Sequence, residues 1–223
     1  MSAATRAATI LAAAGAAGWT VHRLARRSGV TAGETRLSLP GDEIVARPLW
    51  ESTRGITIDA PPAAVWPWIV QMGYPSHRAG WYTPHWLDEL MWGERPRSAD
   101  TVVPELQDLQ VGDRVPDSDD WSVFYVVDQV EPGSHLVLHS TSHNVGPIET
   151  IDFSWAFALL PVAGDAGATR LLVRARVAYT PALLYPLVET VIGLGDWVNV
   201  SVMLRGIRER AERTPAGRPG SAQ

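Results

Sequence analysis

The chain has 223 residues and a net charge of −5, with 46% hydrophobic and 19% charged residues, no cysteine and no lysine. Such a length suits one large domain with tails, and the composition suits a folded core. The missing residue types exclude disulfide frameworks, thiolate metal sites, cysteine nucleophiles, Schiff-base chemistry and phosphate-loop lysines. All 19 basic residues are arginines: residues 1–30 carry +4 and residues 205–223 carry +3, which leaves −12 for residues 31–204. An acidic middle argues against a nucleic-acid surface, because phosphate binding needs clustered positive charge.

Residues 7–21 form an uncharged, alanine-rich run between Arg6 and the group His22, Arg23, Arg26 and Arg27. Fifteen helical residues reach about 22 Å, short of the roughly 30 Å hydrocarbon core. The arginines that follow the run suit a membrane anchor or membrane-associated helix, with the folded domain on the cytoplasmic side at the inner face of the plasma membrane; a loose alanine-rich leader is the alternative. The chain is accordingly divided into a hydrophobic segment (1–30), a Gly- and Pro-punctuated linker (31–52), a folded domain (53–213) and a disordered tail (214–223).

The domain opens with TRGITIDA, in which Ile56 and Ile58 alternate with Thr57 and Asp59, the pattern of a half-buried strand. Pro61 and Pro62 then start a helix that carries Pro67 inside it, and a second short helix is expected over Pro84–Trp92, stopped by Gly93. PELQDL reads as a turn. Strands are expected over 113–116, 122–130, 135–140, 149–160 and 169–179, with short connections that make neighbours antiparallel. Along 149–160, Ile151, Phe153, Trp155, Phe157 and Leu159 share one face. Along the next strand Arg170, Arg174 and Arg176 point the opposite way from Leu171, Val173 and Val177, so the sheet is expected to be covered on one face, with these arginines in water. The cover is a long helical stretch from Pro181 to Arg213, interrupted at GLGD, whose Val200, Met203, Gly206 and Ile207 recur at helical spacing.

One strand, two short helices, a run of antiparallel strands and a long last helix make an α+β helix-grip pattern. The words ITIDAPPAAVWPWIVQMG, RAGWYTPHWLDE, VPELQDLQVGDRV, DFSWAFAL and TRLLVRARV, spread over Ile44–Arg213, resemble the START-like superfamily (SRPBCC) in its polyketide cyclase/dehydrase branch. The resemblance implies a curved sheet wrapped around the C-terminal helix, with a hollow between them for a hydrophobic ligand. Pro84 and His85 stand where relatives carry a Tyr-Asp pair, and the GLGD break is a second departure.

Candidate ligand-facing residues are Trp81, Tyr82, Trp86, Phe153, Trp155, Phe157, Met203 and Ile207, since aromatic and apolar side chains line such hollows as readily as they fill cores. His85 and Asp88, three apart on the second helix, can pair for proton transfer or form a surface pair. Glu105 in PELQDL is a candidate acid or base, or a turn residue. His139 and His143 stand four apart with no third ligand, and no G-x-S-x-G elbow occurs. No metal and no cofactor is implied. The leading expectation is a binding protein that sequesters a lipid-like or polyketide-like molecule. A cyclase or dehydratase using His85, Asp88 or Glu105 is the second, and an interaction module acting through the basic ends is the third.

Overall fold

The computed structural model describes residues 27–143, 147–185, 188 and 193–213, the side chains of residues 91 and 92 excepted. Residues 7–21, which carry the anchor reading, lie outside the described residues, and so does the tail from 214. No helix among the described residues is long and apolar enough to cross a membrane.

In chain order the elements are β1 (Trp50–Ile58), α1 (Pro62–Val70), α2 (His85–Trp92), β2 (Arg114–Pro116), β3 (Phe124–Glu131), β4 (His135–Ser140), β5 (Thr150–Val162), β6 (Asp165–Thr180) and α3 (Gly193–Arg213). Short 3-10 turns sit at Glu34–Arg36, Pro104–Leu106 and Ala182–Leu184. The six strands make one antiparallel sheet in the order β1-β6-β5-β4-β3-β2, so the chain leaves one edge, re-enters at the other and works back strand by strand until β6 pairs with β1. Its inner face and α3 share one core, in which Trp155, Phe157, Leu171 and Val173 pack with Val200, Met203, Leu204 and Ile207. This is the helix-grip architecture.

The inner face follows from alternation. Phe153, Trp155, Phe157 and Leu159 of β5 pair directly with Val177, Ala175, Val173 and Leu171 of β6, so apolar side chains sit opposite one another across two strands. The β5–β6 hairpin runs further than the apolar pattern suggests. Pro161 pairs with Thr169 and Val162 with Asp165, which leaves Ala163 and Gly164 as the turn. Backbone pairing continues past the last buried residue because a polar strand end loses nothing by keeping its ladder.

The outer face corrects an expectation. Arg174 is 3% exposed, and its guanidinium is held by Asp42 Oδ2 at 2.7 Å, Thr53 Oγ1 at 3.0 Å and the Leu37 carbonyl at 2.8 Å. Arg170 pairs with Glu34 at 2.7 Å and Arg176 with Asp42 at 3.1 Å. Residues 28–46 cross the outer face as a strap: Leu39 is buried with Ala158 and Leu172, and a Cβ at Gly41 would lie 2.5 Å from a methyl of Val137 on β4. Glycine is needed at that crossing. Alternation shows which way the arginines point, but not that acidic residues 132 to 136 positions away meet them there.

The strap has an expected acid response. Its hydrogen bond with Arg170 holds the Glu34 carboxyl down to about 2 from an ordinary value of 4.5. A depressed carboxyl stabilises the folded state above its unfolded value, and that contribution is lost as pH falls through the folded one. Between pH 4.5 and 2, pepsin is therefore expected to cut the wild-type strap near Leu37–Leu39 with rising ease. Glu34→Gln should already be open at the upper end of the window; equal cleavage of both proteins throughout would refute the latch.

α3 is described from Gly193, so it takes in the GLGD segment, and residues 189–192, on which the expected break also depends, lie outside the described residues. Asp196 falls in its first turn, where a carboxylate is favoured by the free N–H groups and the helix dipole. The ridge from Val200 to Ile207 is buried as its spacing implies.

Candidate functional site

The loop between α1 and α2 delivers the first wall of the site. Arg78 donates to the Met72 carbonyl at 2.7 Å and the Val70 carbonyl at 2.6 Å, capping the end of α1, and Gly73 and Gly80 form a bridge that turns the chain back. Trp81 and Tyr82 then emerge towards different surroundings. Trp81 turns to the aromatic wall of the sheet, its ring 5.3 Å from Trp155 and 6.0 Å from Tyr125. Tyr82 adopts φ +59°, a left-handed conformation that costs a bulky residue energy and needs firm surroundings. Those are supplied by its hydroxyl, which donates to the Trp68 carbonyl at 2.9 Å and accepts from Gln71 Nε2 at 2.9 Å, and by its N–H, which donates to Ser98 Oγ at 3.0 Å. Burial pushes the Tyr82 phenol well above its usual range.

Gln71 ties this loop to the next one. Fully buried, it also accepts from the Val103 N–H at 2.9 Å and from Gln107 Nε2 at 3.1 Å, fastening the segment that carries Glu105. An amide with both ends bonded holds two loops in register without placing a charge in the core.

On the sheet, Tyr125, Phe153, Trp155 and Phe157 stack in a continuous aromatic row, with centroids 5.6 Å apart for Tyr125–Trp155 and 4.9 Å for Trp155–Phe157. A cleft of about 100 Å3 opens where this row meets α2 and α3. The aromatic Trp81, Tyr125 and Trp155 line it together with the polar Thr83, Asp88, Arg95, Asp117 and Asn199. Its described lining is thus part aromatic and part polar.

Four features set its chemistry. The indole N–H groups of Trp81 and Trp155 are buried and have no acceptor among the described residues. Asp88 is 6% exposed and accepts from Thr83 Oγ1 at 2.5 Å. Asp117 lies 3.1 Å from His143 Nε2, while the other ring nitrogen of His143 is 2.6 Å from Ser140 Oγ and the ring rests on Tyr125 at 4.4 Å. Burial, helped by the carboxylates of Asp117 and Asp196, pushes the Tyr125 phenol well above its usual range, so it stays neutral. Behind this wall Arg54 of β1, 1% exposed, forms an ion pair with Asp196 and donates to Ser52 Oγ at 2.9 Å.

The residues singled out from sequence are scattered over several places. Trp81 and Trp155 border the cleft, and Asp88 does so from α2. Phe157, Met203 and Ile207 are wholly enclosed in the core, and Phe153 is partly buried at the end of the aromatic row. Trp86 is 65% exposed on α2. Tyr82 and His85 border a second, outer groove of about 390 Å3, and His85 pairs with Glu89 at 3.1 Å rather than with Asp88. Glu105 is exposed at its turn, so His85, Asp88 and Glu105 do not converge. His139 pairs with Asp152 at 2.7 Å, away from His143, and among the described residues no three His, Cys, Asp or Glu side chains gather as a metal site.

Sequence reasoning missed Arg54, Tyr125, Asp117, Asp196 and Asn199. Arg54 had a readable signal, because it shares the inward face of β1 with Ile56 and Ile58, and an arginine on such a face needs a buried acid. Its partner lies 142 residues away, and no local pattern announces it.

No protein-family model matches the chain, and no curated protein matches it. Its structure is similar to that of a protein from Mesorhizobium loti, at 18% identity and a TM-score of 0.45 over 74% of this chain and 98% of that one. It is similar to a hypothetical protein from Helicobacter pylori, at 13% identity and 0.47 over 78% and 95%. It is also similar to an aromatase/cyclase from a Streptomyces species, at 16% identity and 0.42 over 75% and 98%. At such identities nothing about function carries over.

Proposed function

We propose that this chain is a START-like (SRPBCC) protein that binds a small, mainly apolar molecule carrying an acceptor oxygen, held between the aromatic row and the start of α3. The observation that carries this reading is the pair of buried indole N–H groups, Trp81 and Trp155, bordering one cleft with no acceptor among the described residues. A buried donor without an acceptor costs about 1–3 kcal/mol. A carbonyl or ether oxygen placed between them would recover that cost, while the rings supply the apolar contact. The neutral Tyr125 phenol borders the same cleft and is a third donor. A cleft of about 100 Å3 takes the oxygen-bearing end of such a molecule.

The matched pair 1-tetralone and tetralin, which differ in one carbonyl, tests this. In competition with the uncharged dye N-phenyl-1-naphthylamine, tetralone is expected to displace dye about tenfold more effectively, the equivalent of one hydrogen bond of about 1.4 kcal/mol. Trp81→Phe and Trp155→Phe, which keep a ring and remove the donor, should each shrink that preference. Absence of saturable dye binding, or equal displacement by both competitors, defeats the proposal.

A second reading, an enzyme of the cyclase or dehydratase type, is favoured by one observation: the buried Asp88 carboxylate borders the same cleft as the Tyr125 phenol. An acid and a base on opposite sides of a bound carbonyl compound can move a proton through it. His85 and Glu105 take no part. Asp88→Asn separates the two readings, because it should spare tetralone binding and abolish any exchange of the α-protons of tetralone into deuterated water.

A further inference from the structure

A second cleft, which shares only Thr83 with the inner one, supports a separate inference. The outer groove of about 390 Å3 runs between α3 and the chain at Tyr82–His85 and Arg97–Asp100, within the size range of small-molecule sites. Four arginines border it, Arg97, Arg205, Arg210 and Arg213, against two carboxylates, Asp100 and Glu209. Asp100 is already taken, lying 2.9 Å from Arg210 and 3.7 Å from Arg213. Arg97 and Arg205 make no ion pair with any described residue; Arg205 donates only to the Ser201 carbonyl of its own helix, at 3.1 Å.

A hydroxyl adds to the donor set, since Ser98 Oγ accepts from the Tyr82 N–H, which leaves its own proton to donate. Three of the four arginines come from residues 205–223, which carry +3 in a chain of net charge −5. Arginine forks match the oxygens of a phosphate group in pairs, and a concave wall strengthens their field.

We infer that this groove is an anion site that takes the phosphate group of a phosphomonoester, with Arg97 and Arg205 as its two main contacts. A phosphate can arrive on a soluble metabolite or on a lipid headgroup. The second source has local support, since Trp86 and Leu90 on α2, the helix that begins at His85, are 65% and 75% exposed.

The experiment has two arms on the full chain. Phenyl phosphate is titrated by calorimetry, and co-sedimentation is measured with phosphatidylcholine vesicles made with and without phosphatidic acid. Expected is saturable binding in at least one arm, lowered about tenfold or more by Arg97→Gln with Arg205→Gln, partly kept by the two lysine variants, and unchanged by Arg208→Gln outside the groove. Binding of phenyl phosphate assigns a soluble phosphate. Binding confined to acidic vesicles, weakened also by Trp86→Ser with Leu90→Ser, assigns a headgroup. The inference is overturned if neither probe binds, or if the double glutamine variant, shown by circular dichroism to be folded, binds as wild type does.

Discussion

Asp196→Ala is expected to destabilise the protein by about 3–5 kcal/mol, the range found when one partner of a buried ion pair is removed. Arg54 is 1% exposed on the inner face of β1, and Asp196 pairs with it from the first turn of α3. An arginine cannot shed its proton to escape burial, so without this carboxylate the fold must either bear a less compensated charge or open to admit water. Desolvation makes the pair itself a modest net contributor, and its removal as a unit should therefore be far milder. Arg54→Met with Asp196→Leu is expected to recover most of the loss in urea unfolding. A single-variant cost below about 1 kcal/mol would show that the pair behaves as a surface one.

Gly206→Ala is expected to cost roughly 1–3 kcal/mol, towards the upper end, although alanine is the better helix former. A Cβ at this position would overlap the Tyr82 carbonyl oxygen and stand 2.8 Å from the Tyr82 Cβ. The neighbour has little freedom to move. Tyr82 is fixed by hydrogen bonds at its hydroxyl and its N–H, and the Arg210 guanidinium lies over its ring at 4.8 Å. The helix must instead withdraw from the loop, which would also widen the outer groove and displace Trp81. Thermal unfolding measures the stability loss, and a change in tryptophan emission would report the displacement. A Gly206→Ala protein that melts at the wild-type temperature would mean that α3 slides at no cost.

Legibility followed the range of the interaction. The apolar face of β5 and the Val200–Ile207 ridge could be read because burial repeats with the period of the element itself. Trp81, Trp155 and Asp88 were among the candidates because aromatic and acidic residues near a concave sheet are conspicuous. The distinction between Asp88, which turns inward, and His85, which faces the outer groove, was not readable, because three positions on a short helix share a face only until packing rotates that face. The strap was misjudged for a related reason. Its Gly- and Pro-rich composition resembles a linker, and only the arginines of β6, 132 and 136 positions further on, turn Glu34 and Asp42 into anchors.

By itself the sequence determined the α+β order of elements, the side of each strand that meets the core, the acidic middle of the chain and the chemistries that a protein without cysteine or lysine cannot perform. Only the tertiary structure decided that Arg54 meets Asp196, that the outer face of the sheet is covered and that two indole donors border one small cleft. Periodicity is a property of neighbours along the chain, whereas charge pairs, hydrogen-bond satisfaction and cavity volume depend on groups brought together from opposite ends of it.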